Sequence, residues 1–232
     1  MIFFTNDIQA FIFDVDGTLY DQIKLRRMMF WALVRHLVKN KNFIRDIHAL
    51  YSFRKKREIL SHDEKNTGGL ENRQYVEVAH KLGVSVDEVK HVVNDWIFEK
   101  PLGYLAECIY PGVKDLFSLL MKNRLKIGIF SDYPSLAKLK ALELHADVVI
   151  CATDENVDRF KPHPKGLLVA AKELGVPVGN CFFIGDRDEK DGECARRAGM
   201  PYLILSRKNI VGGDGYRKMT IDLIEKNKGR FH

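Results

Sequence analysis

Cysteine is scarce in this chain of 232 residues: there are four, and none forms a C-x-x-C pair. Their wide spacing excludes a disulfide framework and a zinc-ribbon site, so Cys108, Cys151, Cys181 and Cys194 read as reduced core thiols. No run approaches the roughly 18 consecutive apolar residues that a membrane span needs. A basic segment followed by a long apolar one is also missing near the N-terminus, where the apolar run Ala10–Phe13 stops at Asp14. A signal peptide is therefore not expected, and the expected compartment is the cytoplasm. Internal repeats and low-complexity tracts are lacking too, which excludes solenoid and linker architectures. Tryptophan is limited to Trp31 and Trp96, both read as helix packing.

What is present is ordinary globular material. Hydrophobic residues make up 46% and charged residues 29%, enough for one large domain or one domain with an insertion. The net charge is +6, and residues 21–100 alone carry +5 of it. Such an excess suits nucleic acid, an acidic partner, an anionic small substrate or a solvated helix surface. Arg54-Lys55-Lys56-Arg57 is the densest basic run and reads as solvated surface. It has little aromatic interleaving for stacking on bases, so no nucleic-acid partner is expected. The nearby Thr67-Gly68-Gly69 turn, flanked by Arg73, could reach the anionic end of a substrate.

Periodicity divides the chain in a consistent way. Ala10–Phe13 reads as a buried strand. Leu25, Met28, Met29, Ala32 and Leu33 then fall on one helical face, and the same spacing recurs around Ile47, Val78 and Val92. Ser85-Val86-Asp87-Glu88 matches a capping box. Residues of about 21–100 thus read as four helices without a strand. Beyond Pro111 helices and strands alternate: Val113–Met121, Lys126–Ser131, Pro134–Leu142, Asp147–Cys151, Pro164–Leu174, Cys181–Ile184, Asp191–Ala198 and Tyr202–Leu205. After Ser206 a loop containing Gly212-Gly213-Asp214-Gly215 precedes a short helix from Thr220. This alternation predicts an α/β fold with a Rossmann-like parallel sheet, interrupted after its first strand by a four-helix block.

Ligands of parallel sheets bind at the carboxyl ends of the strands. Those ends carry Asp14 and Asp16, then Ser131 and Asp132, then Lys161 in the loop after strand three, then Asp186 with Asp191 close behind. So much acid on one edge repels itself unless a cation joins it, and oxygen-only ligands suit Mg²⁺.

Asp14-Val15-Asp16-Gly17-Thr18, Ser131, Lys161-Pro162 and Gly185-Asp186-x4-Asp191 together resemble the four motifs of the haloacid dehalogenase-like hydrolase superfamily, in order and spacing. The helical block resembles its cap. The resemblance implies a core domain of residues 1–20 and 101–232 and a cap domain of residues 21–100. It implies a Mg²⁺-dependent phosphatase acting on a small phosphorylated substrate through an aspartyl-phosphate, as a monomer or homodimer. Asp14 is then the nucleophile and Asp16 the general acid and base. Ser131 and Lys161 serve catalysis and, with Thr18 and Asp132, phosphate binding. Asp14, Asp16 (through its carbonyl), Asp186 and Asp191 are the metal ligands. Thr18 is expected to satisfy the turn or touch Asp16.

Two departures narrow the expectation. Dehalogenases of the superfamily lack the second aspartate of the first motif, so Asp16 points to phosphate chemistry. Phe130-Ser131-Asp132-Tyr133-Pro134 differs from the Thr-Asn or Ser-Asn of phosphoglycolate-phosphatase-like members. The alternatives are a phosphomutase, a phosphonatase using a cap lysine, and a non-catalytic basic binding module.

Overall fold

Four apolar residues, Ala10–Phe13, form strand β1, and none of them retains solvent exposure. A strand with no wet face must be central, and β1 is: in the computed structural model it pairs in parallel with β2 (Lys126–Ser131) and with β4 (Cys181–Gly185). β3 (Val148–Cys151) and β5 (Tyr202–Ile204) extend the sheet to the order β3-β2-β1-β4-β5. Every pairing is parallel. The chain moves outward in one direction through β2 and β3, then resumes on the other side of β1 with β4. Strand order therefore reverses at β1, where a crevice opens beyond the strand ends. The structure describes residues 8–37, 43–62, 68–211 and 215–227. Thr67 and Gly212-Gly213-Asp214 lie outside the described residues.

Period-two alternation splits β1 between two cores. Phe11 and Phe13 join one layer with Val113, Leu116, Phe117 and Leu120 of α6 (Val113–Lys122). Ala10 and Ile12 join the other with Leu167, Ala170, Ala171 and Leu174 of α8 (Lys165–Leu174). Between β1 and α6 lies the helical block: α1 (Gln22–Leu37), α2 (Phe43–Ser61), α3 (Leu70–Leu82) and α4 (Val86–Val93). A π-helical turn, Asn94–Glu99, and the short α5 (Leu102–Leu105) follow it. The capping box forms as expected, the Ser85 hydroxyl accepting from the Glu88 N–H and the Glu88 carboxylate from the Ser85 N–H. The block has its own small core of Phe53, Tyr75, Val78, Ala79, Val89 and Val93. None of its described members comes from α1.

The remaining helices are α7 (Leu136–Leu142), α9 (Glu193–Ala198), α10 (Arg207–Val211) and α11 (Gly215–Asn227). Several local expectations change. Asp188–Gly192 forms a π-helical turn, so α9 begins at Glu193 and not at Asp191. Residues after Ser206 are helical as α10 where a loop was expected. The last helix begins at Gly215 because Tyr216 and Met219, one turn apart, are both buried in the sheet layer that α6 covers. Trp31 is mostly exposed, contrary to its reading as packing, whereas Trp96 is buried. Among the described residues no helix is long and apolar enough to cross a membrane.

Gly166 lies where α8 crosses β2, and a Cβ there would overlap the Phe130 ring. Alanine is intrinsically the better helix former by up to about 1 kcal/mol. Overpacking a rigid core costs about 1–3 kcal/mol, so the clash should win. Gly166→Ala is expected to lower urea-unfolding stability by about 1–2 kcal/mol net. Unchanged or increased stability would contradict this packing.

Candidate active site

Asp14 leaves β1 with its N–H bonded to the Ile184 carbonyl of β4, so both central strands fix its position. Its side chain is almost fully buried. Oδ1 accepts from Lys161 Nζ at 2.5 Å, and Oδ2 accepts from Thr18 Oγ1 at 2.9 Å. Thr18 therefore serves Asp14, not Asp16: four residues on, the turn brings its hydroxyl back beneath the first acid. Gly17 makes that turn possible, with φ of 100° and no room for a Cβ against the Asp186 carboxylate.

Lys161 precedes a cis peptide to Pro162 and is 2% exposed. Its ammonium also donates to Asp191 Oδ1 at 2.6 Å, so one buried cation joins two carboxylates. Asp191 Oδ2 in turn accepts from the backbone N–H groups of Asp186 and Arg187, at 3.3 and 3.1 Å. Asp14, Asp186 and Asp191 each offer a carboxylate oxygen within 4.8 Å of the others. Burial, with the Asp191 and Asp16 charges added and Lys161 opposing, pushes Asp14 up to about 6. Burial and the charges of Asp14 and Asp191 push Asp186 up to about 8. Lys161 moves well above its ordinary value, because the two carboxylates outweigh its burial. Only two of these three acids bond the buried ammonium, and their all-oxygen donor set fits a hard divalent cation.

Asp16 lies in the same loop but in a different environment. Both its oxygens accept from Lys138 Nζ, at 2.6 and 2.7 Å, and Oδ1 also accepts from the Tyr20 hydroxyl. Burial alone would raise its pKa, but the charge and hydrogen bonds of Lys138, with Tyr20, hold it below the usual carboxylate value. Its side chain is thus directed away from the three-acid cluster. Ser131 is buried at the end of β2, its Oγ accepting from the Tyr133 N–H at 3.2 Å. Asp132 Oδ1 accepts from the Lys161 N–H at 3.1 Å. Asp14, Asp16, Ser131 and Asp132 line one cavity of about 580 Å³ between the sheet edge and the helical block. Thr18, Lys161, Asp186 and Asp191 do not line it.

Sequence reasoning missed several neighbours of this site. Lys138 gave no motif signal, since its partner Asp16 is 122 residues away, and Tyr20, four residues after Asp16, was passed over. Arg57 was grouped with a solvated basic run, yet it is buried. It donates to Gln74 and to the Asp132 carbonyl, and its guanidinium packs 3.9 Å from the Tyr133 ring centroid and 4.4 Å from that of Phe160. Of its companions, Lys56 pairs with Glu77, while Arg54 and Lys55 are exposed. The helical block is tied to the core at two further places. Lys190 Nζ donates to Glu58 at 2.7 Å, and the Asp158 carboxylate accepts from the Gly69 and Leu70 N–H groups at 2.7 and 2.8 Å. The Gly68-Gly69 turn is thus anchored to the core through Gly69.

A parallel α/β core with an inserted helical block carries Asp14 in a buried acidic cluster with Lys161, and Asp16 beside Lys138, at the sheet edge where strand order reverses. A model of the haloacid dehalogenase-like hydrolases matches residues 8–199, and the chain belongs to that family. It is 27% identical over 208 residues to a glyceraldehyde 3-phosphate phosphatase of Methanopyrus kandleri, covering 86% of this chain and 84% of that protein. It is 37% identical over 131 residues to a phosphoglycolate phosphatase of Xanthomonas campestris, covering 55% of this chain and only 58% of that one. The crystal structure of beta-phosphoglucomutase from Clostridium difficile superposes with a TM-score of 0.58, at 21% identity over 97% of this chain and 98% of that one. At that identity the last likeness shows the fold alone.

The raised acids imply a linkage between protons, cation and stability. A group whose pKa is higher folded than unfolded stabilises the fold fully below its unfolded value, near 3.8 for these aspartates, and loses that contribution as pH rises through the folded value. Metal-free protein should therefore lose stability as pH rises through about 6 and about 8, as Asp14 and Asp186 ionise against each other. Mg²⁺ at millimolar concentration should raise Tm by several degrees at pH 8 and by less at pH 5. A Tm indifferent to Mg²⁺ at pH 8 in chelator-treated protein contradicts a cation site here.

Proposed function

We propose that the chain is a Mg²⁺-dependent phosphomonoesterase, acting on a small phosphorylated molecule through an aspartyl-phosphate, with residues 21–100 as its cap domain. The observation that carries this reading is Asp14. Its carboxylate is held from behind by Lys161 and Thr18 and opens on the cavity that Asp16 and Ser131 also line. The names of the phosphatase relatives support the substrate class. The pairing of Lys56 and the burial of Arg57 leave little of the basic run for a nucleic-acid surface.

In the reaction, an Asp14 oxygen forms a bond to phosphorus while the bond from phosphorus to the alcohol oxygen breaks. The departing oxygen takes its proton from the Asp16 carboxyl. Water then adds to phosphorus, Asp16 takes the proton back, and the Asp14–phosphorus bond breaks to leave inorganic phosphate. As it stands, Lys138 keeps Asp16 ionised, the state that the second step needs. The first step needs it protonated, and an arriving phosphate dianion shifts it that way. Ser131 would donate to a phosphoryl oxygen. Lys161 neutralises charge on the Asp14 side, below the reacting atoms. Asp14 and Asp186 would hold the ion, with the Asp16 carbonyl. Asp191, the third carboxylate within reach of that ion, would also keep Lys161 and the Asp186 backbone in register. When bound, Mg²⁺ supplies positive charge to the phosphoryl oxygens and orients them.

Two sets of variants test this reading. Asp14→Asn keeps the shape and removes the nucleophile, so kcat should fall by at least about a thousandfold without loss of fold. Retained turnover, with reversion to Asp excluded by mass spectrometry, contradicts it. Asp16→Asn should depress turnover of alkyl phosphates far more than of p-nitrophenyl phosphate, whose leaving group needs little protonation. Lys138→Met should show the same leaving-group bias, and the double variant should be little worse than Asp16→Asn alone. Additive losses would mean that Lys138 acts elsewhere.

A further inference from the structure

The cavity above Asp14 is larger than a two- or three-carbon polar alcohol requires. Its volume of about 580 Å³ falls in the range that encloses a drug-sized ligand. Its two walls differ in chemistry. The core side presents the polar residues already described. The helical block, with the π-helical turn and α5 that follow it, adds Met29, Leu33, Leu50, Trp96, Phe98 and Leu102 to the lining, together with the charged side chains considered below.

The α1 residues in that wall have a second peculiarity. Leu25, Met29 and Leu33 repeat at a helical spacing that ordinarily marks a face packed into a core. Leu25 and Met29 do touch the sheet-side core, but no described residue of α1 belongs to the core of the helical block. Met29 and Leu33 remain half-buried and face the cavity. The cationic side chains of the lining fall into two groups. Arg57, Lys138 and Lys190 are committed to Gln74, the Asp132 carbonyl, Asp16 and Glu58, while Arg26, Arg54 and Arg187 line the cavity with exposed side chains.

We propose that the alcohol released from the substrate carries an extended apolar body, which lies against α1 and the π-helical turn while its phosphate meets Asp14. This rests on the phosphomonoesterase reading above and narrows it. A short polar alcohol would leave the apolar wall facing water. An alkyl or ring body would bury it, and each methylene so buried is worth about two- to fourfold in affinity. The continuity of one cavity, from Asp14 to Leu33, sets the direction in which that body extends.

A homologous series of ethyl, butyl, hexyl and octyl phosphate tests this directly, because the leaving alcohols differ little in acidity. With Mg²⁺ and below micelle concentrations, kcat/KM should rise along the series, octyl exceeding ethyl by about thirtyfold or more. In a Met29→Ser/Leu33→Ser variant, checked for fold by circular dichroism, that ratio should drop to within about threefold. A flat or falling series in the wild-type protein, with ethyl phosphate turned over, overturns the proposal whatever the variant does. An octyl preference that survives the substitutions overturns it too, since the chain would then lie elsewhere. If neither this series nor p-nitrophenyl phosphate is hydrolysed, the phosphomonoesterase reading fails and takes the proposal with it.

Discussion

The ammonium of Lys161, buried between the carboxylates of Asp14 and Asp191, is the contact on which the rest of this site depends. Taking three charged groups out of water is costly, and their mutual attraction offsets that only where the geometry is close. The fold supplies that geometry from three segments: the end of β1, the loop after β3 and the π-helical turn after β4. Each carboxylate is further satisfied by a donor of its own, Thr18 for Asp14 and the Asp186 and Arg187 backbone for Asp191. The same lysine thus fixes where the nucleophile points and ties it to the strand that carries Asp186.

A second constraint separates two acids that are only two residues apart. Asp14 is pushed up by burial among carboxylates, whereas Asp16 is drawn down by Lys138 and Tyr20. Identical side chains in one loop thereby acquire different proton affinities, but the proposed first step needs Asp14 ionised and Asp16 protonated, so positive charge beside Asp14 and the substrate's negative charge beside Asp16 must shift both. Lys138 comes from α7, so the helix after β2 equips the loop after β1. The helical block closes over the pair through Arg57, which stacks on Tyr133 and Phe160 and bonds the Asp132 carbonyl.

Much of this was legible in the sequence because the informative residues stand at strand ends. β1 declares itself by four consecutive buried apolar residues, and the acids that follow it need no long-range knowledge to be placed on the sheet edge. What stayed hidden depends on contacts across the chain. Nothing local tells Lys138 from any other helical lysine, or Arg57 from the exposed Arg54 three positions earlier. Thr18 was expected to satisfy the turn or touch Asp16, and its return to Asp14 stayed hidden because it depends on how Gly17 turns. The stripe on α1 was legible as one helical face, but period shows only that a face is apolar and not what covers it. The start of α11 was missed because the glycines before it outweighed Tyr216 and Met219.

The account stands or falls on whether phosphate passes through Asp14. Acid-quenching the protein during turnover with Mg²⁺, then mapping its peptides by mass spectrometry, asks this directly. The mass of one phosphoryl group should appear on the peptide containing Asp14, increase in Asp16→Asn, where breakdown lacks its base, and be absent from Asp14→Asn. Steady hydrolysis with no phosphorylated peptide in either the wild-type protein or Asp16→Asn, or with the group on another residue, would contradict it.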